Sequence, residues 1–161
     1  MFKTAMISAV LLAGLCSTEV MAQAKPTDFV NNYALTKVGG KAPADAKLTE
    51  PYLKQVAVGR IDKGGGYFEL SGTMEMSDGT SINFTGDLRK GPDNTTWWHG
   101  VMSSAPNSDA QKKLPYSVTL VFYTQDFKKF NATVTVLTVN NAADFHQTGA
   151  AVWTFEKPEK K

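Results

Sequence analysis

The stretch FELSGTMEMSDGTSINFTGDL, residues 68–88, constrains this chain more than any other. Phe68, Leu70, Gly72, Met74 and Met76 alternate with Glu69, Ser71, Thr73 and Glu75. After Ser77-Asp78-Gly79-Thr80 the alternation resumes, with Ile82, Phe84, Gly86 and Leu88 set against Asn83, Thr85 and Asp87. A period of two sends successive side chains to opposite faces of a strand, and Asp-Gly between two such runs signals a tight hairpin. The segment predicts a β-hairpin with one apolar and one polar face. Gly72 and Gly86 fall on the apolar face, where glycine gives up packing. Such positions mark strong bends or a close approach of two backbones.

Strand-like runs recur along the chain: YLKQVAVGRI (52–61), TTWWHGVMS (95–103), YSVTLVFYT (116–124), FNATVTVLTV (130–139) and AAVWTFE (150–156). Polar or glycine-bearing connections separate them. With the hairpin they make about seven strands, which predicts an all-β fold, either an antiparallel sandwich or a small up-and-down barrel. Residues 23–51 read differently. DFVNNYALTKV (28–38) predicts a short helix, with Asp28 as N-cap and Gly39-Gly40 as its stop, followed by a loop. The β domain is expected over 52–157, with a polar tail at 158–161.

Residues 1–22 have the layout of a cleaved export signal. Lys3 supplies the positive end, Ala5 to Cys16 is an uncharged apolar run, and Val20 and Ala22 stand where a signal peptidase inspects the chain. The run is shorter than the roughly 20 apolar residues that a transmembrane helix needs. Leu15, rather than a small residue, precedes Cys16, so a lipid attachment is not expected. Cleavage would make Gln23 the first residue and place the protein in a periplasm or outside the cell. It would also remove the chain's single cysteine. The remainder would then hold together without disulfides and have neither a thiol nucleophile nor a thiolate metal site.

The net charge is +2, and the basic residues are scattered pairs (Lys112-Lys113, Lys128-Lys129, Lys160-Lys161) rather than a stripe. That distribution argues against nucleic-acid binding. No nucleophile elbow or Walker loop is present, and GGGY (64–67) leads into a strand, as a hairpin connection does. No cofactor motif is recognisable. Asn83, Asn94 and Asn131 open glycosylation sequons, which matter only in a eukaryotic exporter.

The most distinctive short stretch is NTTWWHGVM (94–102), with two adjacent tryptophans and one of two histidines. On a regular strand Trp97 and Trp98 face opposite ways. Trp98, Gly100 and Met102 form the drier register and are assigned to the core. Trp97 and His99 then share the other face as the candidate ligand-binding residues, a stacking platform beside a hydrogen-bonding group for a saccharide or apolar ligand. The competing explanation is ordinary packing of Trp97. A binding surface there, or at loops 104–115 and 140–149, implies a non-catalytic binding protein. The alternatives are a protein–protein module outside the cytoplasm and a metal-dependent hydrolase built on His99, Asp144 and His146, for which no dedicated ligand spacing exists.

Overall fold

The computed structural model describes residues 24–93, 95–104, 116–138 and 151–159. The export-signal reading of residues 1–22 lies outside them, as do Asp144 and His146. Among the described residues eight strands run in chain order: β1 (Asn31–Val38), β2 (Leu53–Lys63), β3 (Phe68–Met76), β4 (Ser81–Lys90), β5 (Trp98–Ser104), β6 (Tyr116–Thr124), β7 (Lys129–Thr138) and β8 (Trp153–Glu156). Each pairs antiparallel with its neighbour, and β8 returns to pair with β1, closing an up-and-down barrel. Of the two architectures expected from the sequence, the barrel is the one formed.

The predicted hairpin is present, with Asp78-Gly79 in its turn, but the loop is one residue longer than a two-residue Asp-Gly turn, since the Met76 N–H donates to the Thr80 carbonyl. Met74 lies opposite Ile82, and Glu75 opposite Ser81. Gly79 has φ 84°, the Asp78 carboxylate accepts the Thr80 N–H at 2.9 Å, and the Gly79 N–H reaches the Met76 carbonyl at 3.0 Å. All seven expected strands correspond to β2 through β8. Their inward side chains join one buried cluster that includes Leu53, Val56, Met74, Ile82, Phe84, Leu120, Val134 and Trp153.

The expected helix over 28–38 is not there. A single 3-10 turn, Pro26–Phe29, is followed directly by β1. In a helix Phe29 and Tyr33, four residues apart, would share a side. They do share one, with ring centroids 5.2 Å apart, because the chain bends between them and both rings enter the same barrel mouth. Asp28 is not an N-cap: that position is Lys25, and Asp28 is the third residue of the turn, its carboxylate accepting the Lys25 N–H at 2.9 Å. Gly39 and Gly40, with φ of 57° and 81°, end a strand instead of a helix. Part of the segment 23–51 is thus a wall of the barrel. Val38 pairs with Trp153 and Leu35 with Phe155, so β1 joins strands that would otherwise leave two open edges.

One end of the barrel is plugged by aromatic rings. Phe29 lies 5.3 Å from both Phe122 and Phe127 and 5.7 Å from Phe130, and Phe130 stacks on Phe155 at 4.9 Å. The Tyr33 hydroxyl donates to the Phe127 carbonyl at 2.9 Å, with the Phe29 carbonyl at 3.2 Å. Burial, followed by the charges of Asp126 and Asp28, pushes the Tyr33 phenol far above its ordinary range, so it stays a neutral donor. The Lys157 ammonium seals the rim, donating to the Asp28 carbonyl at 2.7 Å and lying 5.7 Å from the Tyr33 ring centroid. Phe127 reaches the plug from a left-handed backbone position, φ 55°. Buried Thr124 holds that turn by accepting the Phe127 N–H at 3.1 Å and donating to the Lys129 carbonyl at 2.7 Å.

Among the described residues most large apolar side chains point in, the reverse of a membrane-spanning barrel with its lipid-facing apolar band. Among the described residues no helix is long and apolar enough to cross a membrane.

Curvature depends on glycines on the inward side of β3, β4 and β5. A Cβ added to Gly72 would lie 1.9 Å from the Ala57 carbonyl oxygen; at Gly86 the Val101 oxygen would be 2.3 Å away, and at Gly100 the Asp87 oxygen 1.9 Å. Gly72→Ala, Gly86→Ala and Gly100→Ala are each expected to destabilise by about 3 kcal/mol or more, because backbone must move to admit the methyl. Gly65, with nothing within 4 Å of an added Cβ, should accept alanine with little change. Urea denaturation of the four variants checks the contrast.

Candidate functional site

The tryptophan pair divides as the alternation requires. Trp98 is 7% exposed and packs inward, with its ring centroid 6.0 Å from Phe68 and 5.6 Å from Phe127. Met102 and Gly100 are buried with it. Trp97, just before β5, and His99 lie on the outer side, half-buried, with ring centroids 5.1 Å apart and planes tilted by 50°. The structure therefore brings the two sequence-derived site residues into contact. It also shows what backs Trp97. A Cβ at Gly91 would lie 2.7 Å from the indole, and the Gly91 N–H donates to the Trp97 carbonyl at 2.9 Å. The β4–β5 turn thus presses on the indole, which makes part of that ring a packing element.

Cross-strand register extends the face. His99 lies opposite Arg89 on β4 and Tyr123 on β6, and Val101 lies opposite Asp87 and Val121. Tyr123 is 49% exposed, Val101 39% and Val121 57%. These three are most of the exposed large hydrophobics among the described residues; Val30 and Val152 stand elsewhere. Sequence reasoning passed over them, although YSVTLVFYT carries the signal. With Val118, Leu120 and Phe122 inward, Val121 and Tyr123 must face water.

Beside this strip the outer wall is concave. A groove of about 510 Å³ crosses β2 to β5, lined by Asp62, Tyr67, Glu69 and Asp87 along one side and by Ser71, Thr85 and Ser103 along the other. Asp62 pairs across the sheet with Glu69, and Glu69 with Asp87. Like charges in opposed positions repel. Local partners offset this: Arg60 Nε is 2.7 Å from Asp62, Arg89 Nε 2.8 Å from Asp87, and the Tyr67 hydroxyl donates to Glu69 at 3.3 Å. The other Asp87 oxygen accepts the Val101 N–H at 3.0 Å, and the Arg89 guanidinium sits over the Tyr67 ring at 5.2 Å.

The loops expected to adjoin Trp97 leave the barrel elsewhere. β5 runs from Trp98 to Ser104, so connection 105–115 departs from the end opposite Trp97, as does connection 139–150. Those residues lie outside the described ones. Among the described residues no group of three His, Cys, Asp or Glu side chains could hold a metal. The triad of His99, Asp144 and His146 has only its first member there, at the plugged end.

Trp98→Ala is expected to cost about 3–5 kcal/mol, as loss of a core aromatic does, and Trp97→Ala less than about 2 kcal/mol. Guanidinium denaturation of the two variants checks this; equal losses would mean that both indoles serve the core. No protein family matches this sequence, and no curated protein or solved structure matches it either.

Proposed function

We propose that this is an exported, non-catalytic binding protein whose contact surface is the outer face of β5 and β6, centred on Val101, Val121 and Tyr123 and bordered by Trp97 and His99. The observation that carries the reading is this contiguous apolar strip. Single exposed hydrophobics are ordinary, but neighbouring ones on a solvent-facing sheet mark an interaction surface. The barrel interior is occupied by its own side chains, which favours an external surface over an internal ligand. A convex strip of valines and a tyrosine suits an apolar patch on a protein partner, with Trp97 and His99 as its aromatic border. Export follows from the layout of residues 1–22 and sets the partner outside the cytoplasm.

A photo-crosslinking residue at position 121 is expected to capture one discrete species in the native envelope or medium, and Val121→Asp to weaken that association without changing the melting temperature. A control at exposed Thr73, on another wall of the barrel, should capture nothing specific. Equal, diffuse labelling from positions 73 and 121 would overturn the proposal.

A further inference from the structure

The groove beside the strip has a chemistry of its own. Its hydroxyl side belongs to a longer row: Ser71 lies opposite Thr85, Thr85 opposite Ser103, Ser103 opposite Thr119, and Thr119 opposite Thr135. Five consecutive strands thus present a hydroxyl at the same level, and Ser103 and Thr119 are already hydrogen-bonded at 3.3 Å. One step toward the plugged end, the row Asp62, Glu69 and Asp87 runs parallel to it. Neighbouring strands lie about 4.8 Å apart, so both rows repeat across the sheet at roughly the length of one sugar ring.

The carboxylates in the groove are held rather than bare. Arg60, Tyr67 and Arg89 fix their orientation, yet each carboxylate keeps lone pairs for a further donor. The groove therefore offers oriented acceptors on one side and hydroxyls that donate and accept on the other. At Asp62 and Asp87 a cationic ligand would compete with Arg60 and Arg89 for the carboxylates. A ligand made of hydroxyls would not. Val101 and the Tyr67 ring add apolar surface for C–H groups.

We propose that this groove binds an extended, uncharged oligosaccharide laid across β2 to β5, with its hydroxyls donating to Glu69 and Asp87 and exchanging hydrogen bonds with Ser71, Thr85 and Ser103. The inference stands apart from the protein partner proposed for β5 and β6, since either surface can be disabled without the other.

The test is an amide-resonance titration of the ¹⁵N-labelled protein with cello-, xylo-, laminari- and chitotetraose, and separately with spermine. At least one neutral tetrasaccharide at millimolar concentration is expected to shift Ser71, Thr85 and Ser103. The exposed-face double variant Ser71→Ala/Thr85→Val should weaken that binding about fivefold or more, as loss of two hydrogen bonds predicts, with an unchanged melting temperature. Silence with all four sugars would overturn the proposal, as would a response to spermine alone, the mark of a cation site. Shifts confined to Val121 and Tyr123 would also overturn it, by moving the ligand onto the strip, while leaving the groove variants without effect.

Discussion

Close backbone contact at Gly72, Gly86 and Gly100 is the constraint on which the rest of the barrel depends. The three lie on successive strands and step diagonally, with Phe84 opposite the first, Met102 opposite the second and Phe122 opposite the third. In each case the opposing side chain fills the space a Cβ would need: Phe84 Cε1 at 2.8 Å, Met102 Cγ at 3.2 Å, Phe122 Cε1 at 2.9 Å. Small positions set against large ones let the strands coil sharply while the interior stays full, which a narrow closed sheet demands. Any side chain on that diagonal would push carbonyls of the adjoining strands outward and flatten the sheet.

Coiling alone does not close a sheet. Closure requires β1 to bridge β2 and β8, and β1 is anchored by the aromatic plug. Phe29 enters from the 3-10 turn, Tyr33 from the strand itself, and Phe127 from a strained turn that Thr124 holds. A left-handed phenylalanine is unfavourable in isolation, and its persistence here reflects how fully the surrounding rings determine its position. The plug makes the two ends unequal. Short turns serve the aromatic end, whereas connections 39–52, 105–115 and 139–150 all meet the barrel at the other. A surface built around Trp97 and one built from the latter two connections would thus start from opposite ends of the molecule.

Much of this was legible in the sequence, and what was not has a common cause. Alternation located β2 through β8 and assigned Trp98 inward and Trp97 outward, because a half-buried sheet stamps its period on every strand. The inward glycines were readable as points of close approach for the same reason. β1 escaped because Phe29 and Tyr33 mimic a helical spacing through a bend, and Asn31-Asn32 break the alternation at its start. The strip on β5 and β6 escaped differently. Whether Val121 is remarkable depends on Val101 lying beside it, a relation of register between strands twenty residues apart that no single strand records. The groove is less visible still, since its two rows exist only once four strands are aligned.

These constraints bear on where a ligand can act. Glycine, methionine and aromatic side chains commit the interior to holding the barrel closed, so opening a cavity there would remove the contacts that set its curvature. Binding capacity is left to the outer wall and the rim. On that wall polarity is unevenly spread: the β2–β5 quarter holds Asp62 and Asp87 paired with arginines, Glu69 bonded to the Tyr67 hydroxyl, and hydroxyls in rows, and the β5–β6 quarter holds bare valines and a tyrosine. β5 belongs to both, through Val101. A change at Val101 would reach both quarters, whereas one at Val121 or at Thr85 would reach only one.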